Sequence, residues 1–185
     1  MSEKRTELSE LGEFGLIQRI AESVVLRQES TIKGIGDDAA VIHPKGELVM
    51  SSDLLMEGIH FDLSYVPLHH LGYKAVAVNV SDIAAMNAIP SQIIVNIGIS
   101  NRFSTEAIDA LYKGINLACE QYKVDLVGGD TSSSSSGLVL SITAVGMGDK
   151  ATLSYRSGAK KGDILCATGD LGAAYVGLQV LEREK

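Results

Sequence analysis

The chain has 185 residues, with 16 Lys plus Arg against 23 Asp plus Glu, a formal net charge of −7, 45% hydrophobic and 21% charged residues, and no Trp. The high, well-distributed apolar fraction excludes a disordered chain, and the lack of any apolar run of about 18 residues excludes a membrane-spanning helix. An acidic balance without clustered Lys and Arg excludes electrostatic capture of nucleic acid or of an anionic membrane surface.

The opening residues 1–10 are polar and lack the apolar stretch of a secretory signal, so a cytoplasmic location is the default. Residues 13–28 read as an amphipathic helix, with Phe14, Ile17, Ile20, Ala21, Val24 and Val25 at helical spacing. A Gly-rich turn then precedes a strand over 39–42, and a second strand runs over 47–52 to end at Asp53. Residues 69–87 form a helix with Leu71, Ala75 and Val78 on one stripe, followed by a strand over 91–100 rich in Ile and Val. The next helix spans 104–123, its buried face marked by Ile108, Leu111, Ile115, Ala118 and Tyr122. A short strand over 124–127 leads into Gly128-Gly129-Asp130, and the serine run 132–136 reads as a mobile loop. A long strand covers 137–147, a last strand 163–168 and a last helix 172–183. Cys119 and Cys166 lie far apart among apolar neighbours and read as buried thiols. The Gly-Ala-Lys-Lys-Gly-Asp run at 158–163 opens a new unit of about 22 residues, too small to bury its own core, so a longer parent protein is expected to complete it.

The charge is uneven. Residues 34–130 carry 5 basic and 12 acidic groups, which accounts for the whole net charge. Asp37, Asp38, Asp53, Asp82 and Asp130 have no nearby base in the sequence, and such acids repel one another unless a cation lies between them. Asp37 and Asp38 follow a Gly34-Ile35-Gly36 turn, and adjacent side chains point opposite ways, so one faces a site and the other braces the turn. Ser51, Ser52 and Asp53 are hard oxygen donors suited to Mg2+. His60, beside Gly58 in a loop, is suited to hold a phosphate or a ring. Counting 71, 75, 78, 82, 86 puts Asp82 on the apolar stripe, where an unpaired carboxylate needs a cation or a place at a cleft. Gly128 and Gly129 allow a ligand to approach the backbone, and Asp130 adds another hard ligand. Arg156 suits a phosphate through its bidentate guanidinium. There is no Walker-type loop, dinucleotide fingerprint, nucleophile elbow or zinc cluster, which leaves Mg2+ and phosphate chemistry ahead of redox or acyl transfer.

Five segments in order, residues 34–40, 51–61, 73–82, 128–131 and 156–159, resemble the thiamine-monophosphate kinase family. That family belongs to the superfamily of aminoimidazole ribonucleotide synthetase, selenophosphate synthetase and the hydrogenase-maturation dehydratase. The resemblance implies an α+β fold, a mixed β-sheet with helices packed on one face, dimerising through its sheet. It implies an amino-terminal ATP- and Mg2+-binding domain over 1–152, with a linker and the truncated start of a carboxy-terminal domain over 153–185. It implies transfer of the ATP γ-phosphoryl group to thiamine monophosphate, directly and in line. Asp38, Ser51, Ser52, Asp53, Asp82 and Asp130 would hold several Mg2+ ions, with Asp82 and Asp130 catalytic. His60 would touch the thiamine phosphate, and Gly129, Asp130, Arg156 and Tyr112 would contact ATP. Asn87 stands where relatives have Gly, Ser52 stands where Thr is common, and the ligands of the family's carboxy-terminal domain are absent. Two other expectations remain open: an ATP-using enzyme like the hydrogenase-maturation dehydratase, separated by testing thiamine monophosphate as substrate, and a non-catalytic dimerisation module, separated by Mg-ATP binding.

Overall fold

The computed structural model describes residues 6–183, so the first five residues of the polar opening segment and the last two of the chain lie outside it. The chain divides into two units, Met1–Ser154 and Tyr155–Lys185.

In the first unit the longest β-branched runs form one sheet, because each alternates side chains between a packed and an open face. Its strands are β3 (Glu47–Met56), β4 (Ile89–Ile99), β5 (Asp125–Ser133) and β6 (Leu138–Gly148), ordered β3-β6-β4-β5. β6 runs antiparallel to both β3 and β4, and β5 runs parallel to β4. A separate two-stranded piece pairs β1 (Thr31–Lys33) with β2 (Val41–Ile42). Helices α2 (Leu68–Ala85) and α3 (Thr105–Tyr122) pack on one face of the large sheet. Leu140, Ile142 and Ala144 of β6 and Ile93, Val95 and Ile97 of β4 are buried beneath them. Each fully buried Ile or Leu there contributes about 1.5–3 kcal/mol. The open face carries exposed Leu48, Met50, Leu54 and Met56 on β3.

The two helices meet almost backbone to backbone. A Cβ on Gly72 would lie 2.1 Å from the Leu111 carbonyl oxygen, and one on Gly114 would lie 1.8 Å from that of His69. Only glycine fits at either position. Ser104 caps α3 by accepting the Ala107 N–H at 3.3 Å, and Lys123 ends it in the left-handed region at φ 55°.

Several expectations change. The first helix, α1 (Leu8–Glu22), is interrupted at Gly12 and buries only Leu16 and Ile20, while Phe14 is 85% exposed. It does not reach residue 28, because the Arg27 and Gln28 N–H groups bond to the Asp125 carboxylate at 2.6 and 3.0 Å instead of to helical carbonyls. The strand expected over 124–127 continues to Ser133, since β4 offers it a partner along its full length. The serine run therefore begins inside β5. Asn87 adopts φ 56°, a region Asn tolerates better than most residues, and donates its Nδ2 to the Thr152 carbonyl at 2.9 Å.

The second unit holds a 3-10 turn, Arg156–Gly158, and α4 (Ala173–Arg183). No strand forms over 163–168; a lone strand has no ladder partner, and Ile164 and Leu165 are 88% and 99% exposed. Cys166 is exposed, contrary to expectation, whereas Cys119 is buried.

Burial pushes the Cys119 thiol from an ordinary 9.0 up to about 12. Below pH 9 both folded and unfolded thiols are protonated and nothing is lost. Between these values the unfolded thiol ionises while the folded one does not, so stability falls by about 1.4 kcal/mol per pH unit. Urea unfolding across pH 8–10, below the range where the buried Tyr112 phenol adds its own decline, is expected to show this loss above pH 9, and Cys119→Ala to flatten it there; an unchanged slope in the variant overturns the assignment.

Candidate active site

The line where α2 crosses the edge strand β3 gathers the polar groups. On β3, Ser51, Asp53 and Leu55 alternate toward the helices, while Ser52 and Leu54 point to the open face. Ser51 Oγ donates to Asp82 Oδ2 at 2.7 Å. Two residues further along the strand, the Asp53 N–H donates to Asn79 Oδ1 at 3.0 Å. Asn79 is fully buried and donates its Nδ2 to the Ala75 carbonyl at 3.0 Å, so both ends of its amide are satisfied. Asn79 and Asp82 are three residues apart and neighbour each other on the helix surface. Asp53 and Asp82 therefore share one side of the β3–α2 contact.

The helical register differs from the expected one. The buried stripe of α2 runs Leu71, Ala75, Val76, Asn79, Val80 and Ile83, and Asp82 sits beside it, exposed. The polar residue on the apolar stripe is Asn79. Its position in the stripe was visible in the sequence, but counting from Val78 instead of Ala75 passed over it.

The other acids lie elsewhere. Asp37 accepts the Asp38 N–H at 3.0 Å and stands 3.9 Å from Lys33, so it is the brace of the Gly-Asp turn and Asp38 is left exposed. Ser52 Oγ bonds to the Ile142 carbonyl at 3.2 Å and to Thr143 Oγ1 at 2.9 Å, on the face opposite Ser51. Asp130 sits on β5 at the far edge, in register with Asn96, and accepts from Ser132 Oγ at 2.9 Å. Asp53 lies in the row of Ile142, Val95 and Gly129, one row from Asp130, so alternation assigns the two acids to opposite faces. Three strand spacings, roughly 14 Å, separate their strands. Gly129 is fixed by packing, since a Cβ there would lie 1.8 Å from the Val95 carbonyl oxygen.

His60 lies in the turn after β3. Its Nδ1 accepts the Met56 N–H at 3.0 Å, which leaves the proton of a neutral ring on Nε2. Tyr112 is buried on α3, and burial pushes its phenol pKa up. Arg156 belongs to the second unit and is exposed.

Among the described residues, none of Asp38, Asp53, Asp82 and Asp130 forms an ion pair. Nor does any group of three or more His, Cys, Asp or Glu side chains stand ready to hold a metal ion. The Ser51 hydroxyl and the Asp82 carboxylate meet directly, Asp53 lies on the same side of β3, and all three are hard oxygens, the type that suits Mg2+ rather than zinc or copper. They fit such an ion as part of a ligand set. No helix among the described residues is long and apolar enough to cross a membrane.

This arrangement is that of a known domain class. Residues 36–148 match the family "AIR synthase related protein, N-terminal domain", and the chain belongs to that family. It is 38% identical to a thiamine-monophosphate kinase of Bacillus subtilis (strain 168) over 176 residues, 94% of this chain and 54% of the relative. The corresponding enzyme of Aquifex aeolicus (strain VF5) is 36% identical, across 96% of this chain and 55% of the relative. The crystal structure of thiamine-monophosphate kinase from Stenotrophomonas maltophilia K279a superposes with a TM-score of 0.81 at 34% identity, over 94% of this chain and 54% of that one. AaThiL complexed with AMPPCP and TMP gives 0.71 at 35% identity, over 100% of this chain and 56% of that one. The hydrogenase maturation protein HypE in complex with ATP shares the fold, with a TM-score of 0.67 at 22% identity. The chain thus spans about half the length of the kinases it matches.

Asn79→Ala leaves the Asp53 N–H without its partner and opens space in the α2 stripe. The expected cost is about 2–3 kcal/mol in urea unfolding, with the Asp53 amide exchanging roughly tenfold faster or more. Exchange at the wild-type rate shows that Asn79 does not hold the strand.

Proposed function

We propose that this chain supplies the ATP- and metal-binding half of a thiamine-monophosphate kinase, which transfers the γ-phosphoryl group of ATP to the phosphate of thiamine monophosphate. The observation that carries this is the Ser51–Asp82 contact, with Asp53 on the same side and no cation paired to either carboxylate among the described residues. Relatives named for that activity, and a related structure holding AMPPCP and TMP, support it.

Joining two phosphates brings like charges together, so the protein's work is positioning and charge compensation rather than covalent chemistry. Ser51, Asp53 and Asp82 would hold Mg2+ at the β3–α2 line, while Asp38, Ser52 and Asp130, which lie elsewhere on this chain, are assigned to further Mg2+ ions. Bound there, Mg2+ supplies neutralisation of phosphate charge. Ser51 orients the Asp82 carboxylate through its hydroxyl. Asn79 fixes Asp53 by its backbone. His60 presents Nε2–H to the substrate as a neutral donor. Gly129, Asp130, Arg156 and Tyr112 are assigned to the nucleotide side.

A second copy would cover the open sheet face. Leu48, Met50, Leu54 and Met56 are 49%, 64%, 50% and 38% exposed there, and a pairing that buries them removes apolar area from water. ATP as donor accords with a cytoplasmic protein.

Asp82→Asn keeps the size of the side chain and removes its charge. In the protein that carries this chain, formation of thiamine diphosphate from thiamine monophosphate and Mg-ATP is expected to fall by about 100-fold or more with the circular dichroism spectrum unchanged. Turnover near wild type rejects the site. Met50→Asp on the open face is expected to convert a dimer to a monomer in light scattering; wild-type protein that is already monomeric rejects the pairing.

A further inference from the structure

Helix α2 carries two formally charged side chains, Lys74 and Asp82, eight residues apart along 18. Eight residues rise about 12 Å. Asp82 is held at one end by Ser51 of β3, and Lys74 is tethered at the other, where its Nζ donates to the His60 carbonyl oxygen at 3.3 Å. β3 therefore runs antiparallel to α2, and the polar groups along their contact come in order: Ser51 with Asp82, Asp53 with Asn79, then the turn of His60 with Lys74.

The two ends differ in chemistry. The first offers carboxylates and a hydroxyl, which suit a cation. At the second, the two carboxylates of the turn are engaged, Glu57 by Arg102 and the Leu138 N–H and Asp62 by the Ser64 N–H, while Lys74 and His60 have donors to spare. Lys74 forms no ion pair among the described residues despite an acidic central segment, and its carbonyl tether uses one of three ammonium donors. His60 is turned by the Met56 N–H so that Nε2–H, not a lone pair, faces away from the backbone. A cation on the helix and a neutral N–H on the turn it touches suit an anion rather than a metal ion.

We infer that Lys74 is a binding residue for the phosphate of the acceptor, acting with His60 at the end of the β3–α2 line opposite Asp82. This rests on the phosphoryl-transfer function proposed above and deepens it: donor phosphates meet the carboxylate end through metal, and the accepting phosphomonoester is received by Lys74 and His60. A substrate lacking that phosphate loses this contact altogether.

The test follows the His60 ring signals by NMR in the full chain during titration with inorganic phosphate and, separately, thiamine monophosphate. Three proteins are compared: wild type, Lys74→Gln and Lys74→Arg. Lys74 is exposed, and backbone spectra confirm that each variant is folded. Phosphate is expected to shift the His60 signals of the wild type. Lys74→Gln is expected to weaken the apparent affinity at least fivefold, and Lys74→Arg to restore most of it. A change below fivefold in Lys74→Gln, or no response at His60, overturns the inference. The two claims separate by their readouts. If the phosphate titrations behave as expected while the protein that carries this chain makes no thiamine diphosphate, Lys74 stands as a phosphate ligand and the named substrate falls.

Discussion

An edge strand leaves every second backbone N–H without a strand partner, and such groups must be covered or wetted. β3 is the edge strand of this sheet, and its Asp53 N–H is taken by the buried amide of Asn79. That single bond ties the strand to α2 at a fixed offset. Because α2 is in turn pressed against α3 through Gly72 and Gly114, the helix has little freedom to slide. The Ser51–Asp82 contact and the placing of His60 beside Lys74 both depend on that offset. A slip of one residue in β3 would turn Ser51 and Asp53 to the open face and send Ser52 and Leu54 inward.

Asp125 and Asp82 show how differently a carboxylate can be treated in the same domain. Asp125 is fully buried, yet it accepts two backbone N–H groups and the Thr31 hydroxyl, at 2.6, 3.0 and 2.7 Å. Its charge is matched by donors of the fold, and its task is to fasten residues 27–31 to the end of β5. Asp82 receives one hydroxyl, and Asp53 has its backbone fixed while its carboxylate stays unpaired by any cation among the described residues. Asp82 is exposed and Asp53 half-buried, and neither carboxylate receives the three fold donors that Asp125 does. Retaining them makes physical sense where a bound cation restores the balance.

Much of this was legible in the residues. Alternation and helical spacing locate the four long strands and α2 and α3, since those segments pack on a continuous core and local preference agrees with tertiary need. The acids of interest were legible by a different sign, the absence of neighbouring bases. What escaped was set by distant partners. Asp125 draws residues 27–28 off the helical path, and β4 extends β5 through glycines that would end a strand elsewhere. The strand expected over 163–168 fails for the converse reason, because the described residues of its unit form no strand to pair with it. Asn79 was missed because one buried amide in an apolar stripe looks like a flaw until the strand it serves is in place.

Strand alternation also separates the ligand set. Ser51 and Ser52 are adjacent, so one must face the helices and the other the open side, and Asp130 is assigned by register to that open side at the opposite edge. A single sheet cannot bring both groups around one phosphate chain. In the proposed pair, a second copy laid over the open face would bring one copy's Ser52 and Asp130 side to the margin of the other. The exposed Met50 and Leu54 lie on that same face, so the apolar attraction that would close the pair and the oxygens that would complete the site occupy one surface. In the proposed kinase, pairing and ligand binding are then expected to be linked: whatever binds between the copies stabilises the pair, and the pair raises affinity for what binds.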